Sequence, residues 1–361
     1  MTRLDETRPL RDDDAVQLDN LRPWLEANAP EVGSDISIEQ FPGGHSNLTF
    51  LLRTSDGREY VLRRPPMGLE IRSAHDMGRE YRILSHLQGV YDKIPRTVAF
   101  CDDRDVIGGE FYIMERLQGI VLRSPKLPDG LNLDADAMRT LSTNVIDNLA
   151  AIHAVDYEAA GLGDLGRPAG YIERQVTGWT KRYNAAQTDD IPDVEVIATW
   201  LDAHRPSQES GAALIHGDYK YDNLLLDPEH PTEIRAVFDW EMATIGDPLM
   251  DLGTSLSLWV DPDDPPLFRM LPFGPTMLPG NLNRLELAER YASTSGRTVD
   301  DLVFFYVFGL FKMAVVLQQI YKRYTLGHSK DPRFAQMIHG VRAFADMGRR
   351  AIEANRIDRL G

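Results

Sequence analysis

Apolar positions alternate with polar ones over residues 36–41, 49–53 and 60–63, and the stretches are parted by Pro42-Gly43-Gly44 and Ser55-Asp56-Gly57. Period-two alternation punctuated by glycine and proline predicts a small antiparallel sheet. Residues 74–87 switch to helical spacing, with Tyr81, Leu84 and Leu87 on one face, before further strands over 97–101 and 110–116. Past Gly119 the helical period dominates, as in Leu141, Val145, Ile146, Leu149 and Ile152, and it returns over 193–204, 285–295, 299–324 and 332–354. Upstream, Asp12, Asp13 and Asp14 precede Val16, Leu18, Leu21, Trp24 and Leu25, the pattern of an amphipathic helix with acids at its positive end. These shifts divide the chain into a helical extension over 1–35, a β-rich lobe with one helix over 36–118, and a helical lobe over 119–361.

Composition agrees with that division. A chain of 361 residues exceeds the size at which one core stops growing, so two lobes are expected. With 43% hydrophobic and 26% charged residues it reads as an ordinary globular protein. The single cysteine, Cys101, excludes an internal disulfide, and the acidic, polar first twenty residues do not read as a secretory leader; both point to the cytoplasm. The longest apolar run, 302–317, is interrupted by Gly309 and Lys312 and is shorter than a membrane span, so it is expected to be a buried helix. A net charge of −16 argues against nucleic acid or an anionic membrane as partner, because displacing counterions takes local cationic excess. It leaves a nucleotide open, since that needs only a few placed cations. Composition does not set the oligomeric state.

The chemistry concentrates in His216-Gly217-Asp218-Tyr219-Lys220-Tyr221-Asp222-Asn223 and Phe238-Asp239-Trp240. Apolar runs at 224–226 and 234–238 flank the turn formers Asp227, Pro228, His230 and Pro231, which predicts a hairpin with Asn223 opposite Asp239. Asp218 lies on the preceding loop, so its carboxylate approaches the same point. Mg²⁺ takes hard oxygen ligands and commonly one or two carboxylates from a protein, which Asn223 and Asp239 supply as candidate metal ligands. Asp218 is then free to accept the proton of an attacking hydroxyl, with Lys220 neutralising charge and His216 orienting the loop through hydrogen bonds. Glu241 either extends the metal site or faces solvent. Asp251 is expected to brace the loop from a helix by accepting backbone donors, and His153 reads as a satisfied core histidine.

Taken together, Phe41-Pro-Gly-Gly-His-Ser-Asn-Leu-Thr-Phe50, Tyr60-Val-Leu-Arg-Arg-Pro-Pro66, Arg79-Glu-Tyr-Arg-Ile-Leu84 and Asp239-Trp-Glu-Met-Ala-Thr-Ile-Gly-Asp-Pro248 resemble the aminoglycoside phosphotransferase family over about residues 36–340. The similarity is greatest to the branch fused to acyl-CoA dehydrogenases in animals and free-standing in bacteria. The resemblance implies an α+β, bilobal protein-kinase-like fold, with an antiparallel N-lobe sheet and a mainly helical C-lobe. It implies a phosphate-binding turn at Gly43 and Gly44, where backbone amides approach phosphate unobstructed, with Ser46 and Asn47 as added donors. The family's phosphate-contacting lysine is replaced here by Arg63, with Arg64 on the opposite strand face as competitor and Glu80 as the pairing acid. Met114, Glu115 and Leu117 fall in the segment that resembles the adenine-binding hinge.

The implied activity is ATP- and Mg-dependent phosphorylation of a hydroxyl on a small-molecule acceptor. The alternative, an inactive nucleotide-binding module, is expected to lack Asp218 or Asp239. A protein kinase needs a long peptide-docking segment after the metal aspartate, and only seven residues separate Asp239 from Asp247. For the acceptor, Tyr171, Gln175, Trp179 and Tyr183, together with Trp200, Trp259 and Phe268, suit an acyl group if they line the pocket, whereas Asp261, Asp263 and Asp264 suit a polycationic sugar.

Overall fold

The computed structural model describes residues 7–10, 16–41, 47–66, 76–328 and 331–361. Helix α1 (Leu18–Asn28) precedes the antiparallel strands β1 (Ile36–Gln40), β2 (Leu48–Thr54) and β3 (Glu59–Arg64). Helix α2 (Met77–Leu87) follows, then β4 (Thr97–Cys101), the single turn α3 (Arg104–Ile107) and β5 (Phe111–Glu115). The five strands form one sheet in the order β1-β2-β3-β5-β4, each neighbour antiparallel. The acids at 12–14 lie outside the described residues, as do Gly43, Gly44 and Ser46.

Alternation decides what each sheet face meets. Phe50, Leu52, Leu62, Phe111 and Ile113 point to one core, which α1 closes with Leu21 and Leu25, Trp24 lying edge-on to Phe111 at 4.9 Å. The extension therefore shares the apolar core of the sheet. Val61, Tyr112 and Met114 face the other way, into a cluster that α2 enters with Ile83, Leu84 and Leu87 and that continues into the helical lobe. Asp76 caps α2 by accepting the Arg79 N–H at 2.8 Å.

The second lobe comprises α4 (Ala135–His153), α5 (Tyr171–Ala186), α6 (Pro192–Ala203), α7 (Pro248–Ser257), the short α8 (Pro266–Arg269), α9 (Arg284–Ser295), α10 (Leu302–Thr325) and α11 (Met337–Ala354). Two small ribbons interrupt the helices: β6 (Ala213–Ile215) pairs with β9 (Thr244–Gly246), and β7 (Leu224–Leu226) with β8 (Ile234–Val237). The first ribbon brings residues 216–218 beside 241–243, and the second brings Asn223 beside Phe238. Together these residues make a bilobal protein-kinase-like fold of the α+β class.

Helix α10 runs 24 residues, longer than its uninterrupted apolar stretch, and by length and composition alone would cross a membrane; 67% of its most apolar window is buried inside the lobe. Its contact with α7 is backbone to backbone. A Cβ at Gly253 would sit 2.1 Å from the Phe305 carbonyl oxygen, and one at Gly309 would sit 2.2 Å from that of Gly253. Gly309→Ala is therefore expected to lower the denaturation midpoint by the equivalent of about 2 kcal/mol through overpacking, even though alanine favours a helix by roughly 1 kcal/mol over glycine. A urea titration reads this directly, and a midpoint at or above wild type would mean that the helices part freely.

Candidate active site

The loop after β6 is held from beneath by one buried carboxylate. Asp251, on the first turns of α7, accepts the His216 N–H on Oδ2 and the Gly217 N–H on Oδ1, both at 2.8 Å. Its Oδ2 also meets His153 Nε2 at 3.1 Å, while His153 Nδ1 lies 2.7 Å from the Tyr291 hydroxyl, so the core histidine of α4 is satisfied on both nitrogens. Against the cost of burial, these donors hold the Asp251 carboxyl below its ordinary range. Gly217 adopts φ +82, a left-handed conformation, and a Cβ there would approach the Met242 carbonyl oxygen to 2.9 Å.

His216 is fully buried, its ring tilted against that of Trp240 with centroids 4.9 Å apart. Its Nε2 donates to the Phe238 carbonyl at 2.9 Å and its Nδ1 accepts the Asp218 N–H at 3.3 Å, which fixes the neutral tautomer with hydrogen on Nε2. Burial lowers its pKa. Grouped with the catalytic side chains from the sequence, His216 is here a positioning residue, since its imidazole joins the two halves of the site from below. Asp218 and Lys220 are the reachable pair, with side chains 25% and 26% exposed. Lys220 Nζ spans both Asp218 oxygens at 2.9 and 2.7 Å, and despite burial Asp218 raises its pKa. Asn223 donates its amide to the Asp218 carbonyl at 2.8 Å and to Oδ2 at 3.1 Å, leaving Asn223 Oδ1 for a cation.

The hairpin register differs by one residue from the expected pairing. Phe238, not Asp239, is hydrogen-bonded opposite Asn223, at 2.8 Å. The ladder shifts at a bulge beside Leu225 and Leu226, and Asp239 leaves it in the left-handed region with φ 66. A non-glycine residue there is uncommon, and such departures gather at functional sites. The turn aims Asp239 at the sheet: Oδ1 lies 3.9 Å from Arg63 Nη2 and is buried without a hydrogen-bond partner among the described residues. An orphaned carboxylate oxygen, on the residue after the Phe238 N–H that meets Asn223, suits a hard divalent cation, so Asn223 and Asp239 fit Mg²⁺ in donor chemistry.

Across the cleft, Arg63 Nη1 pairs with Glu80 Oε1 at 2.5 Å and with the Tyr112 hydroxyl at 3.3 Å. Strand alternation sends Arg64 to the opposite face, fully buried with its guanidinium 5.5 Å from the Phe50 ring centroid, so Arg63 is the one that faces the cleft. Asn47 is buried and donates to Glu241 Oε2 at 3.1 Å, joining the residue before β2 to the loop after Asp239. Glu241 is thus half-buried and bonded across the cleft, where the sequence left it either extending the metal site or facing solvent. Met114 is buried on β5, and the Glu115 and Arg116 N–H groups are taken by the Arg96 and Glu59 carbonyls. Of the hinge N–H groups from 115 to 117, that of Leu117 has no hydrogen-bond partner among the described residues.

Two residues the sequence reading did not place belong here. Asp222 has an Oδ1 buried without a hydrogen-bond partner among the described residues, and burial raises its carboxyl to about 6. It lines a narrow, mostly apolar cavity with Lys220, Tyr221, Leu256, Trp259 and Phe273. The second is Lys312. A larger cavity of about 650 Å³ lies away from this chemistry, between the 89–93 segment, α4 and Glu233. Two of the three acids expected to suit a polycation are otherwise engaged: the guanidinium of buried Arg284 binds Asp264 through both Nη atoms and approaches Asp261 at 3.4 Å, while Asp263 is exposed. Trp179 and Tyr183 are buried core residues, whereas Trp259 does border the cavity.

A β-sheet lobe over a helical lobe, with a carboxylate, an amide and a second carboxylate converging from a loop and a ribbon, defines the kinase-like phosphotransferase class. The sequence profile of the phosphotransferase enzyme family matches residues 37–282, and the chain belongs to that family. It is 35% identical over 325 residues to acyl-CoA dehydrogenase family member 10 of Mus musculus, covering 90% of this chain but only 30% of that longer protein. Among solved structures, one named as an aminoglycoside phosphotransferase from Ralstonia eutropha JMP134 superposes with a TM-score of 0.79 at 32% identity, covering 92% of this chain and 97% of the other. Choline kinase from Cryptosporidium parvum shares the fold, with a TM-score of 0.60 at 13% identity over 95% and 98% of the two chains.

The position of Glu241 generates a test of the site's electrostatics. Burial first, then Asp239 and Glu80, raise its carboxyl from 4.5 to about 7. A carboxyl raised on folding favours the fold while protonated, and that contribution fades as pH rises through the folded value. In metal-free protein, Glu241→Gln is expected to stabilise by about 1–2 kcal/mol at pH 8 and progressively less toward pH 5. Thermal melts at the two pH values report the difference, and an equal effect at both would place the cost elsewhere.

Proposed function

We propose that this protein is an ATP- and Mg-dependent phosphotransferase acting on a hydroxyl of a small molecule, the acceptor carrying an apolar or acyl portion. The observation that carries the reading is the hydrogen-bonded group of Asp218, Lys220 and Asn223 standing beside the orphaned oxygen of Asp239. Asp218 receives the hydroxyl proton and holds the nucleophile oxygen in line with the γ-phosphorus; Lys220, already on Asp218, offsets charge on the group in transit. Asn223 Oδ1 and Asp239 would hold magnesium, which when bound neutralises phosphate charge. Arg63, kept in place by Glu80, presents a guanidinium fork to the nucleotide phosphates, with Gly43, Gly44, Ser46 and Asn47 as further phosphate-binding residues. Met114, Glu115 and Leu117 border the base.

The acceptor class rests on different residues. With Asp261 and Asp264 consumed by Arg284, Asp263 alone of the three acids suited to a polycationic sugar is left on the surface, while the cavity beside Lys220 and Asp222 is walled by Trp259, Phe273 and Leu256. Taken with the names of its longer relatives, this favours a hydroxyacyl thioester over an aminoglycoside. An inactive module is disfavoured because Asp218 and Asp239 are both retained.

Asp218→Ala is expected to abolish transfer, about a thousandfold or more, with Mg-nucleotide binding within a few-fold of wild type. Asp239→Ala is expected to weaken the metal-dependent binding itself. Calorimetric titration with Mg-ATP beside an ADP-release screen over hydroxyacyl-CoAs, aminoglycosides, choline and homoserine separates the roles and identifies the acceptor. Equal binding losses in the two variants would contradict the assignment.

A further inference from the structure

Lys312 lies outside the residues matched by the family profile, in the middle of the most apolar helix of the chain. Its side chain is buried, yet it carries an ammonium into the core. Burying an isolated charge costs several kcal/mol unless it is compensated, so its surroundings say what it is for. Its Nζ donates to the Gly217 carbonyl oxygen at 2.6 Å and lies 5.9 Å from the centroid of Trp179, a buried residue of α5. Asp251 on α7 and Asp218 on the loop attract it, and Lys220 and Arg182 repel it; burial outweighs the attraction and lowers its pKa.

Gly217 is consequently gripped on both sides. Its N–H goes to the Asp251 carboxylate at 2.8 Å and its carbonyl receives the Lys312 ammonium at 2.6 Å. Both are charge-assisted bonds, about twice as strong as neutral ones. No ladder holds the peptide planes of left-handed Gly217, and the plane joining it to Asp218, whose N–H is accepted by His216 Nδ1 at a long 3.3 Å, sets the direction in which the Asp218 side chain leaves the backbone. Resting on the phosphotransferase reading above, we propose that Lys312 is a positioning residue for Asp218, fixing the Gly217 carbonyl so that the carboxylate meets the acceptor hydroxyl at the productive angle. The glycine contact between α7 and α10 serves the same arrangement, since it brings the helices bearing Asp251 and Lys312 close enough to reach one residue.

The test compares Lys312→Met, which keeps length and loses donor and charge, with Lys312→Arg, which keeps both, and Lys312→Gln, which keeps a neutral donor. Two readouts apply: steady-state transfer to the acceptor found by the ADP-release screen, and hydrogen exchange of the peptide covering residues 214–224. Misplacing a catalytic group by about an ångström costs on the order of a hundredfold. Lys312→Met is therefore expected to lose about that much kcat, with KM for the nucleotide little changed and faster exchange confined to the loop. Lys312→Arg is expected to recover most of both losses, and Lys312→Gln less. Wild-type kcat and loop exchange in Lys312→Met overturn the proposal, as does an equal loss in all three variants with faster exchange throughout α7 and α10. If the wild type transfers phosphate to no acceptor, the functional reading fails, and loop-confined exchange in Lys312→Met still decides whether Lys312 fixes Gly217.

Discussion

A single buried carboxylate accepting two consecutive backbone N–H groups organises this molecule. Asp251 can stay ionised without solvent because His153, the loop amides and the nearby Lys312 supply donors and positive charge. Each of these comes from a different element: α4, the loop after β6, and α10. The geometry of the loop is therefore inherited from the packing of three helices, and the glycine contact that seats α10 on α7 is as necessary to it as any polar group. From that anchor the rest follows in sequence. His216 ties the loop to Phe238, the ribbons bring Asn223 and Asp239 alongside, and Arg63 meets Asp239 from the sheet.

Charge is distributed unevenly for the same reason. The chain has a net charge of −16, but the cations that matter are few and placed: Arg63 above the cleft, Lys220 on Asp218, and Lys312 behind the loop. Arg63 compensates the buried Glu80, Lys220 the part-exposed Asp218, and Lys312 is attracted by the buried Asp251 while it binds the Gly217 carbonyl. An acidic surface and a few placed cations at the site coexist because the surface acids are solvated while the site's charges interact through protein.

Much of the architecture was legible in the sequence where apolar periodicity was strong. The strand at 97–101 has the boundaries its pattern predicts, and β1, β2, β3, β5 and the long helices fall within a few residues. Elements too short to show a period escaped: α3, α8 and the three-residue β9, which nevertheless carries the ribbon beside the loop. The hairpin register was off by one because spacing cannot reveal a bulge or a left-handed aspartate. Lys312 read as an interruption of an apolar run, since its partner lies 95 residues away, and Asp261 and Asp264 looked like free acids because Arg284, 20 and more residues on, gave no local signal. The readable features were local in sequence, and the missed ones were pairings made by tertiary packing.

The backbone at Asp239 constrains how this lineage can change. Only asparagine, aspartate and glycine enter the left-handed well at low cost, so most replacements there are filtered out by conformation before chemistry is consulted. Asparagine passes that filter while discarding the negative charge. One nucleotide change could thus remove the carboxylate while leaving the same silhouette, and superposition of main chains would not tell the two forms apart.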